Sequence, residues 1–279
     1  MTDTRFTVWW SFDFDAMSVW IGSAKSSNPS MISRGEFGAV AIPRILALMK
    51  KYDIESTFFI PGHTAYAFPD LVKQIRDHGH EIGHHGWVHE NPADFDLAGE
   101  RAIIEKGLEA LSKAGSSRPI GYRSPAWDLS PHTLDLLKEY GFLYDSSCMA
   151  NDYSPYYLRS GDQWSQSKPY VFGTPTDMVE LPVSWSLDDF PAFEFVMGVM
   201  GALNSPSAVE ESWRGDFEWG YENVPDGVLT ITLHPQVIGR GARLLMLERL
   251  ICTMREHEGV VFRSMANVAQ KWKAANPPS

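Results

Sequence analysis

Short apolar runs rich in β-branched and aromatic residues alternate with amphipathic stretches along most of the chain. The apolar runs predict strands at residues 7–12, 56–60, 81–84, 120–123, 143–146, 178–181, 228–233 and 260–262. The periodic stretches between them predict helices at residues 42–51, 69–77, 96–114, 131–140 and 242–257. Such alternation is typical of βα units on a parallel sheet. The pattern therefore predicts an α/β fold, a closed or nearly closed (β/α) barrel in one domain over residues 1–279.

Two long segments, residues 16–39 and 148–176, do not follow this alternation. The first is rich in Gly, Ser and Pro, and the second is rich in Tyr, Ser, Asp and Pro. We expect both to be long loops that act as lids over a site or as contact surfaces between subunits. The alternative is that they are ordered surface loops without a role.

Composition and charge exclude several classes of protein. Hydrophobic residues make up 44% of the chain and charged residues 21%, which is enough for a sizeable core. The 24 basic and 35 acidic residues give a net charge of −11, which argues against nucleic acid or an anionic membrane as partner. The first residues do not have the pattern of a signal peptide, so we expect a cytoplasmic protein. The apolar segment at residues 191–203 predicts a buried subunit contact and hence a homo-oligomer, a dimer or a tetramer.

Four residues that follow predicted strands have the chemistry of a metal site. His85 and His89 lie four positions apart, and Asp13 and Asp15 follow the first predicted strand. Residues i and i+2 of a strand point the same way, so both carboxylates can enter one cavity. Two imidazoles and one carboxylate would leave coordination positions open for catalysis, and the second carboxylate could take a proton from metal-bound water. Zinc suits these ligands best, and iron, cobalt, nickel and manganese are alternatives.

Three further residues could complete a hydrolytic site. His234 ends a strongly β-branched strand and could donate a proton to a leaving nitrogen. Asp188 or Asp189 could fix the tautomer of that imidazole, and Arg123 could pair with the unligated carboxylate. Taken singly, a histidine such as His234 is more often a structural residue, and Asp188, Asp189 and Arg123 are most simply explained as solvated loop charges.

Together, these residues resemble the five ordered motifs of the polysaccharide deacetylase family, also called carbohydrate esterase family four or the NodB-homology fold. The resemblance extends from about residue 6 to residue 262. The matching segments are Ser11-Phe12-Asp13-Phe14-Asp15, His85-Gly86-Trp87-Val88-His89, Arg123-Ser124-Pro125, Trp185-Ser186-Leu187-Asp188 and Leu233-His234-Pro235.

The resemblance implies a distorted barrel of about seven strands and a divalent metal, usually zinc. It also implies roles for five residues: Asp13 as general base, Asp15, His85 and His89 as metal ligands, and His234 as general acid. The metal and a backbone amide near Ala126 would hold the oxyanion.

The chain departs from the pattern of secreted members at two positions. Phe14 separates two aspartates that are usually adjacent, and Ala126 stands where an aromatic residue usually packs against the sugar. Trp127 or Trp185 could replace that ring, and we expect both, with Trp87, to line the substrate pocket.

These departures are similar to those of an intracellular branch that includes peptidoglycan-deacetylase-like proteins, cyclic imide hydrolases and, more remotely, allantoinases. The leading hypothesis is therefore a metal-dependent hydrolase that opens a small cyclic imide or amide. The alternative is an N-deacetylase of peptidoglycan or chitin-type N-acetylglucosamine residues. A third hypothesis is a non-catalytic barrel.

Overall fold

A computed structural model describes residues 4–196 and 203–278. Its strands are β1 (Phe6–Asp13), β2 (Thr57–Ile60), β3 (Glu81–His84), β4 (Gly121–Tyr122), β5 (Tyr144–Asp145), β6 (Tyr156–Ser160), β7 (Gln163–Ser165), β8 (Lys168–Val171), β9 (Thr174–Glu180), β10 (Gly227–Leu233) and β11 (Val260–Phe262). Its α-helices are α1 (Pro29–Lys51), α2 (Gly62–Ala67), α3 (Pro69–Asp77), α4 (Leu97–Lys113), α5 (Thr133–Glu139), α6 (Asp189–Phe193), α7 (Pro206–Asn223), α8 (Pro235–Ile238), α9 (Gly241–Arg255) and α10 (Met265–Ala275). Each predicted strand has a counterpart among these elements.

The main sheet curls around the centre of the molecule as a distorted barrel. Its strands follow the order β10-β1-β2-β3-β4-β5-β9-β6, and β11 pairs with β1. Neighbouring strands along this path are parallel, except that β6 is antiparallel to β9. Beyond β9 the chain returns to β10, because Asp188 forms a parallel bridge with Thr232. The predicted α/β barrel is confirmed, and the carboxyl ends of its parallel strands meet at one rim.

Strand β1 is buried on both of its faces. All eight residues of β1 are buried, with Val8, Trp10 and Phe12 packed in the largest hydrophobic cluster. Trp9 belongs to a second cluster inside the sheet, with Phe59. A strand that is apolar on both faces is expected where helices cover one side and barrel residues fill the other. Because β1 is fixed on both faces, the residues that follow it are rigidly placed.

The prediction of a loop over residues 16–39 is wrong for its second half. Helix α1 starts at Pro29, where the Asn28 side chain accepts a hydrogen bond from Ser30 N, and continues through Pro43 to Lys51. The small residues that indicated a loop instead allow close packing, because Gly35 lies against the backbone of Ala16. The segment 148–176 is likewise not a plain loop, since it contains β6, β7 and β8 and the start of β9.

The predicted helices and the predicted subunit contact can also be compared with the described residues, the latter only in part. Helices α2, α6, α7, α8 and α10 were not predicted. The apolar segment at residues 191–203 includes residues 197–202, which lie outside the described residues. None of the helices in the described part of the chain combines the length and hydrophobicity that a membrane crossing requires.

Gly35→Ala is expected to destabilise the protein, because the added Cβ would lie 2.2 Å from Ala16 O and 2.5 Å from Met17 N. Neither backbone atom can move without displacing the segment that carries Asp15. Overpacking of this kind costs about 1–3 kcal/mol, which corresponds to a Tm roughly 3–10 °C lower. The matched control is Gly215→Ala in α7, where an added Cβ meets nothing within 4 Å and helix propensity favours Ala. Thermal unfolding in which both variants behave alike would contradict the packing argument.

Candidate metal centre

Asp15 occupies the centre of a buried cluster at the barrel rim. It lies two residues beyond the end of β1, and its backbone carbonyl accepts hydrogen bonds from Thr64 Oγ1 (2.6 Å) and Ser18 N (2.9 Å). Its carboxylate is fully buried, and neither oxygen has a hydrogen-bond partner among the described residues. Burial raises the pKa of Asp15, but neighbouring imidazoles, led by His89, outweigh that effect and lower it to about 2. The carboxylate is therefore ionised.

Two imidazoles face this carboxylate with their Nε2 atoms. His85 Nε2 lies 3.4 Å from Asp15 Oδ1, and His89 Nε2 lies 3.6 Å from Asp15 Oδ2. His85 Nδ1 lies 2.7 Å from Arg123 O, which can only accept, so Nδ1 carries the hydrogen. In the neutral ring, Nε2 of His85 therefore carries the lone pair, and this lone pair faces Asp15.

Ser23 fixes the tautomer of the second imidazole. Its hydroxyl donates to His89 O and also lies 2.6 Å from His89 Nδ1. Because the one hydroxyl hydrogen is used by the carbonyl, Ser23 Oγ accepts from Nδ1–H and leaves Nε2 as the free acceptor. Burial lowers the pKa of His89 to about 4, so this ring is neutral at neutral pH. Sequence reasoning missed Ser23, and no motif or spacing marks it.

The cluster has the composition and the geometry of a divalent-metal site. Asp15, His85 and His89 offer ligand atoms that all lie within 4.8 Å of one another. Three of their polar atoms, both oxygens of Asp15 and Nε2 of His85, are buried without a hydrogen-bond partner in the described part of the chain. Leaving an ionised group in this state is costly unless a cation pairs with it. Three protein ligands also leave a coordination position open, which is typical of catalytic sites.

Asp13 lies beside this cluster but is held by a different partner. Its Oδ1 accepts from Arg123 Nη1 at 2.8 Å, and its Oδ2 lies 3.9 Å from His85 Nε2. The Arg123 guanidinium is fully buried, donates to Ser11 Oγ and to Ser146 O, and stacks over the Phe59 ring. A charge-assisted hydrogen bond of this length holds a carboxylate in one orientation. One oxygen of Asp13 is therefore fixed, and the other faces the candidate metal position.

His234 approaches the same position from the end of β10. Its Nε2 lies 3.6 Å from Asp15 Oδ2, and its Nδ1 lies 2.7 Å from Asp189 Oδ1. Burial lowers the pKa of His234, but the charges of Asp188 and Asp189 outweigh that effect, and the net shift is well above the ordinary value. The imidazole is thus kept in the protonated form that a general acid needs.

Of the two candidate aspartates, Asp189 rather than Asp188 makes the hydrogen bond to His234. The Asp188 side chain accepts from Phe190 N at 2.7 Å and caps α6, and its Oδ1 lies 3.6 Å from His234 Nδ1. Asp189 Oδ1 also accepts from the backbone N–H of His234 at 2.9 Å. The sequence places two aspartates in succession, and the direction of their side chains depends on the turn into α6.

Asp189→Asn is expected to lower kcat by about 10–100-fold with metal content unchanged, because the partner of the imidazole loses its charge. The alkaline limb of the pH–rate profile should also move to lower pH, since removing a negative charge lowers the pKa of His234. Asp188→Asn is the matched control and should have the smaller effect on both quantities. Equal losses in the two variants, or a larger loss in Asp188→Asn, would contradict this assignment.

The predicted pocket residues divide into two groups. Ala126 and Trp127 have φ of 53° and 58°, which is rare outside glycine and bends this segment after β4. The Trp127 ring lies 4.2 Å from the ring of Trp185, whose side chain is 47% exposed. Both rings lie on segments that carry site residues, Trp127 after Arg123 and Trp185 before Asp188.

Trp87 does not belong with these two rings. Its indole packs against His63 and Tyr66 of α2, and Lys106 Nζ of α4 lies 3.8 Å from its centroid. Because His85 and His89 point inwards, the residue midway between them points towards the outer helices. The expectation that Trp87 lines the substrate pocket is therefore wrong.

Comparisons with known proteins agree with this arrangement. A family model described as polysaccharide deacetylase matches residues 35–144. A peptidoglycan deacetylase of Helicobacter pylori is 38% identical over 279 residues, which cover 95% of this chain and 95% of the relative. A crystal structure assigned as a polysaccharide deacetylase from Mycobacterium smegmatis has a TM-score of 0.87 and 33% identity, over 99% of this chain and 93% of the other. The crystal structure of Puue allantoinase has a TM-score of 0.81 and 25% identity, over 99% and 93% of the two chains.

Proposed function

The chain belongs to the polysaccharide deacetylase family, and from this premise we propose that it removes the acetyl group from an N-acetylated amino sugar of the peptidoglycan type. Membership of the family makes it a hydrolase of carbon–nitrogen bonds other than peptide bonds. The relatives support deacetylation, the alternative hypothesis from the sequence, better than the leading hypothesis of cyclic imide opening. No comparison confirms the opening of an imide.

One observation supports the proposal most directly. The carboxylate of Asp15 and Nε2 of His85 are buried without a hydrogen-bond partner among the described residues. A candidate base, Asp13, and a candidate acid, His234, lie next to them. Asp13 Oδ2 lies 3.9 Å from His85 Nε2, and His234 Nε2 lies 3.6 Å from Asp15 Oδ2. Hydrolysis of an amide needs these two groups, because one proton leaves water and another reaches the departing nitrogen.

Each residue then has a defined task. A divalent cation held by Asp15, His85 and His89 would supply an activated water and polarise the carbonyl oxygen. Asp13 takes the proton of the attacking water while Arg123 holds its other oxygen in place. His234 gives its Nε2 proton to the amine nitrogen as the carbon–nitrogen bond breaks. The products are acetate and a free amino sugar.

The opening of a small cyclic imide or amide is retained as a second candidate because of the burial of the site. Asp13, Asp15, His85, His89 and His234 are each at most 6% exposed, so only a narrow group reaches them. An acetamido group and a small flat ring both satisfy that condition, and the Trp127–Trp185 pair offers a surface for either.

The two candidates are separated by a single experiment. The metal-loaded protein is incubated with N-acetylglucosamine oligomers, peptidoglycan fragments, succinimide and phthalimide, and the products are identified by mass. Release of acetate with the imides intact supports the proposal, and ring opening without acetate supports the second candidate. No hydrolysis anywhere in the panel, with metal bound, would contradict both and favour a non-catalytic barrel.

Three further properties remain proposals. Zinc suits two imidazoles and a carboxylate best, which reconstitution of metal-free protein with zinc, iron, cobalt, nickel or manganese tests by activity. A homo-oligomer, a dimer or a tetramer, is supported by Phe195 and Leu203, which are 41% and 64% exposed within an apolar segment. The cytoplasmic location likewise stays a prediction.

A further inference from the structure

A cavity of about 220 Å³ lies beside the metal centre and is lined by none of its residues. We call it the arginine cavity, because its walls include Arg34, Arg240 and Arg243 together with Glu194 and Gln236. This volume corresponds to several water molecules, at about 30 Å³ each, or to a small organic acid.

The arginine cavity is one aromatic ring away from His234. The ring of Phe190 lies 5.1 Å from the imidazole of His234 and 6.1 Å from the indole of Trp20, which lines the cavity. Gln236, another lining residue, follows His234 by two positions and lies in the first turn of α8. A ligand in the cavity is therefore close to the proposed acid without contacting the metal ligands.

The cavity is positively charged in a chain whose net charge is −11. Three arginines line it against one glutamate, and that glutamate is already paired with Arg34. Arg243 donates to the backbone carbonyls of Val237 (2.8 Å) and Phe193 (3.0 Å), which leaves its charge without a carboxylate contact among the described residues. An anion is the natural ligand of such a site.

Arg240 and α9 strengthen this positive field. The Arg240 guanidinium stacks over the Phe37 ring at 3.6 Å. Arg240 is exposed, and its guanidinium has no hydrogen bond or ion pair to another side chain or to the backbone within the described ranges. Arg240 is also the N-cap of the 15-residue helix α9, and Arg243 is its third residue. The partial positive charge of the helix start adds to that of the two side chains.

Gln236 supplies the second indication of a ligand. Its side chain is buried, and neither Oε1 nor Nε2 has a hydrogen-bond partner among the described residues. A buried amide without partners is costly. A ligand with a carboxylate and a neighbouring hydroxyl would satisfy both atoms, since Nε2 donates to an acceptor and Oε1 accepts from an O–H.

We propose that the arginine cavity binds a carboxylate group, carried either by a small hydroxy acid or by a substituent of the substrate itself. The inference concerns residues outside the metal centre, and it does not rest on the proposed deacetylation. Arg240 and Gln236 are the residues that would contact the carboxylate and its neighbouring hydroxyl.

Calorimetric titration of the full-length, metal-loaded protein with lactate tests this directly, with lactamide as the neutral match. We expect lactate to bind, lactamide to bind at least 10-fold more weakly, and both Arg240→Gln and Gln236→Glu to weaken lactate binding by 10-fold or more. Arg249→Gln is the control, because this arginine lies on the same helix and pairs with Glu210 on the surface. Equal binding of lactate and lactamide, no binding of lactate, or the same loss in Arg249→Gln would overturn the proposal.

A second set of binding measurements identifies the molecule that carries the carboxylate, either the substrate or a separate organic acid. N-acetylmuramic acid carries a lactyl carboxylate that N-acetylglucosamine lacks. If lactate competes with N-acetylmuramic acid and Arg240→Gln removes the preference for this sugar, the carboxylate belongs to the substrate. If lactate and N-acetylmuramic acid bind together without competing, the carboxylate belongs to a separate organic acid. Either result supports a carboxylate site.

Discussion

Asp13→Asn is expected to lower kcat by about 10²–10⁴-fold, the contribution of a positioned general base. The substitution preserves shape, and an amide oxygen can still accept the hydrogen bond that Arg123 Nη1 makes at 2.8 Å. An amide nitrogen cannot, however, take the proton from the attacking water. Because Asp15, His85 and His89 are unchanged, the variant should still bind one metal ion per chain. Product formation by mass and metal content by elemental analysis measure the two halves of the prediction.

The control for this variant is Asp96→Asn. Asp96 caps α4 by accepting from Gly99 N, a hydrogen bond that asparagine also makes, so activity should not change. If Asp13→Asn retained more than a tenth of the activity, Asp13 would not be the base. If it lost its metal together with its activity, Asp13 would be acting as a ligand.

The position of the site at one rim of the barrel was predictable, because several site residues directly follow predicted strands in the sequence. Three predicted strands end just before a site residue: residues 7–12 before Asp13, residues 81–84 before His85 and residues 228–233 before His234. In a parallel sheet these ends meet at one rim, so the sequence order alone indicates that distant residues converge. The convergence of Asp15 with two histidines follows from this rule.

The features that were missed depend on tertiary contacts. Glycines in α1 resemble loop residues in the sequence, yet Gly35 is required by the close approach of Ala16. The choice between Asp188 and Asp189 depends on the turn into α6, and the tautomer of His89 depends on Ser23, which is 66 residues away in the sequence. Trp87 lies within a metal motif but packs outwards on α2 and α4. Periodicity and motif spacing carry no information on contacts of this kind.

His85→Ala is expected to abolish stable metal binding and, with it, activity. The variant leaves one imidazole and one carboxylate, and its loss of affinity should exceed the roughly 10–100-fold that removal of an outer-shell partner costs. Ser23→Ala removes only the hydroxyl beside His89 Nδ1, so its loss of metal affinity should be within roughly 10–100-fold. Metal binding to the folded state stabilises it by about 4 kcal/mol at a free concentration near 1,000 times Kd. The wild-type Tm should therefore rise by roughly 10 °C with metal, and the Tm of His85→Ala should not.

The adjacent histidine gives a matched control, because His84 is equally buried but faces the other side of the sheet. Its Nε2 lies 3.1 Å from Ile104 O, and its ring stacks on Tyr122, away from the carboxylates. His84→Gln can keep the hydrogen bond to Ile104, so metal per folded chain and the metal-dependent rise in Tm should both persist. Retention of the metal by His85→Ala, or its loss from His84→Gln despite normal folding, would mean that the cation is held elsewhere. The oxygens of Asp15, which have no hydrogen-bond partner among the described residues, would then require a different explanation.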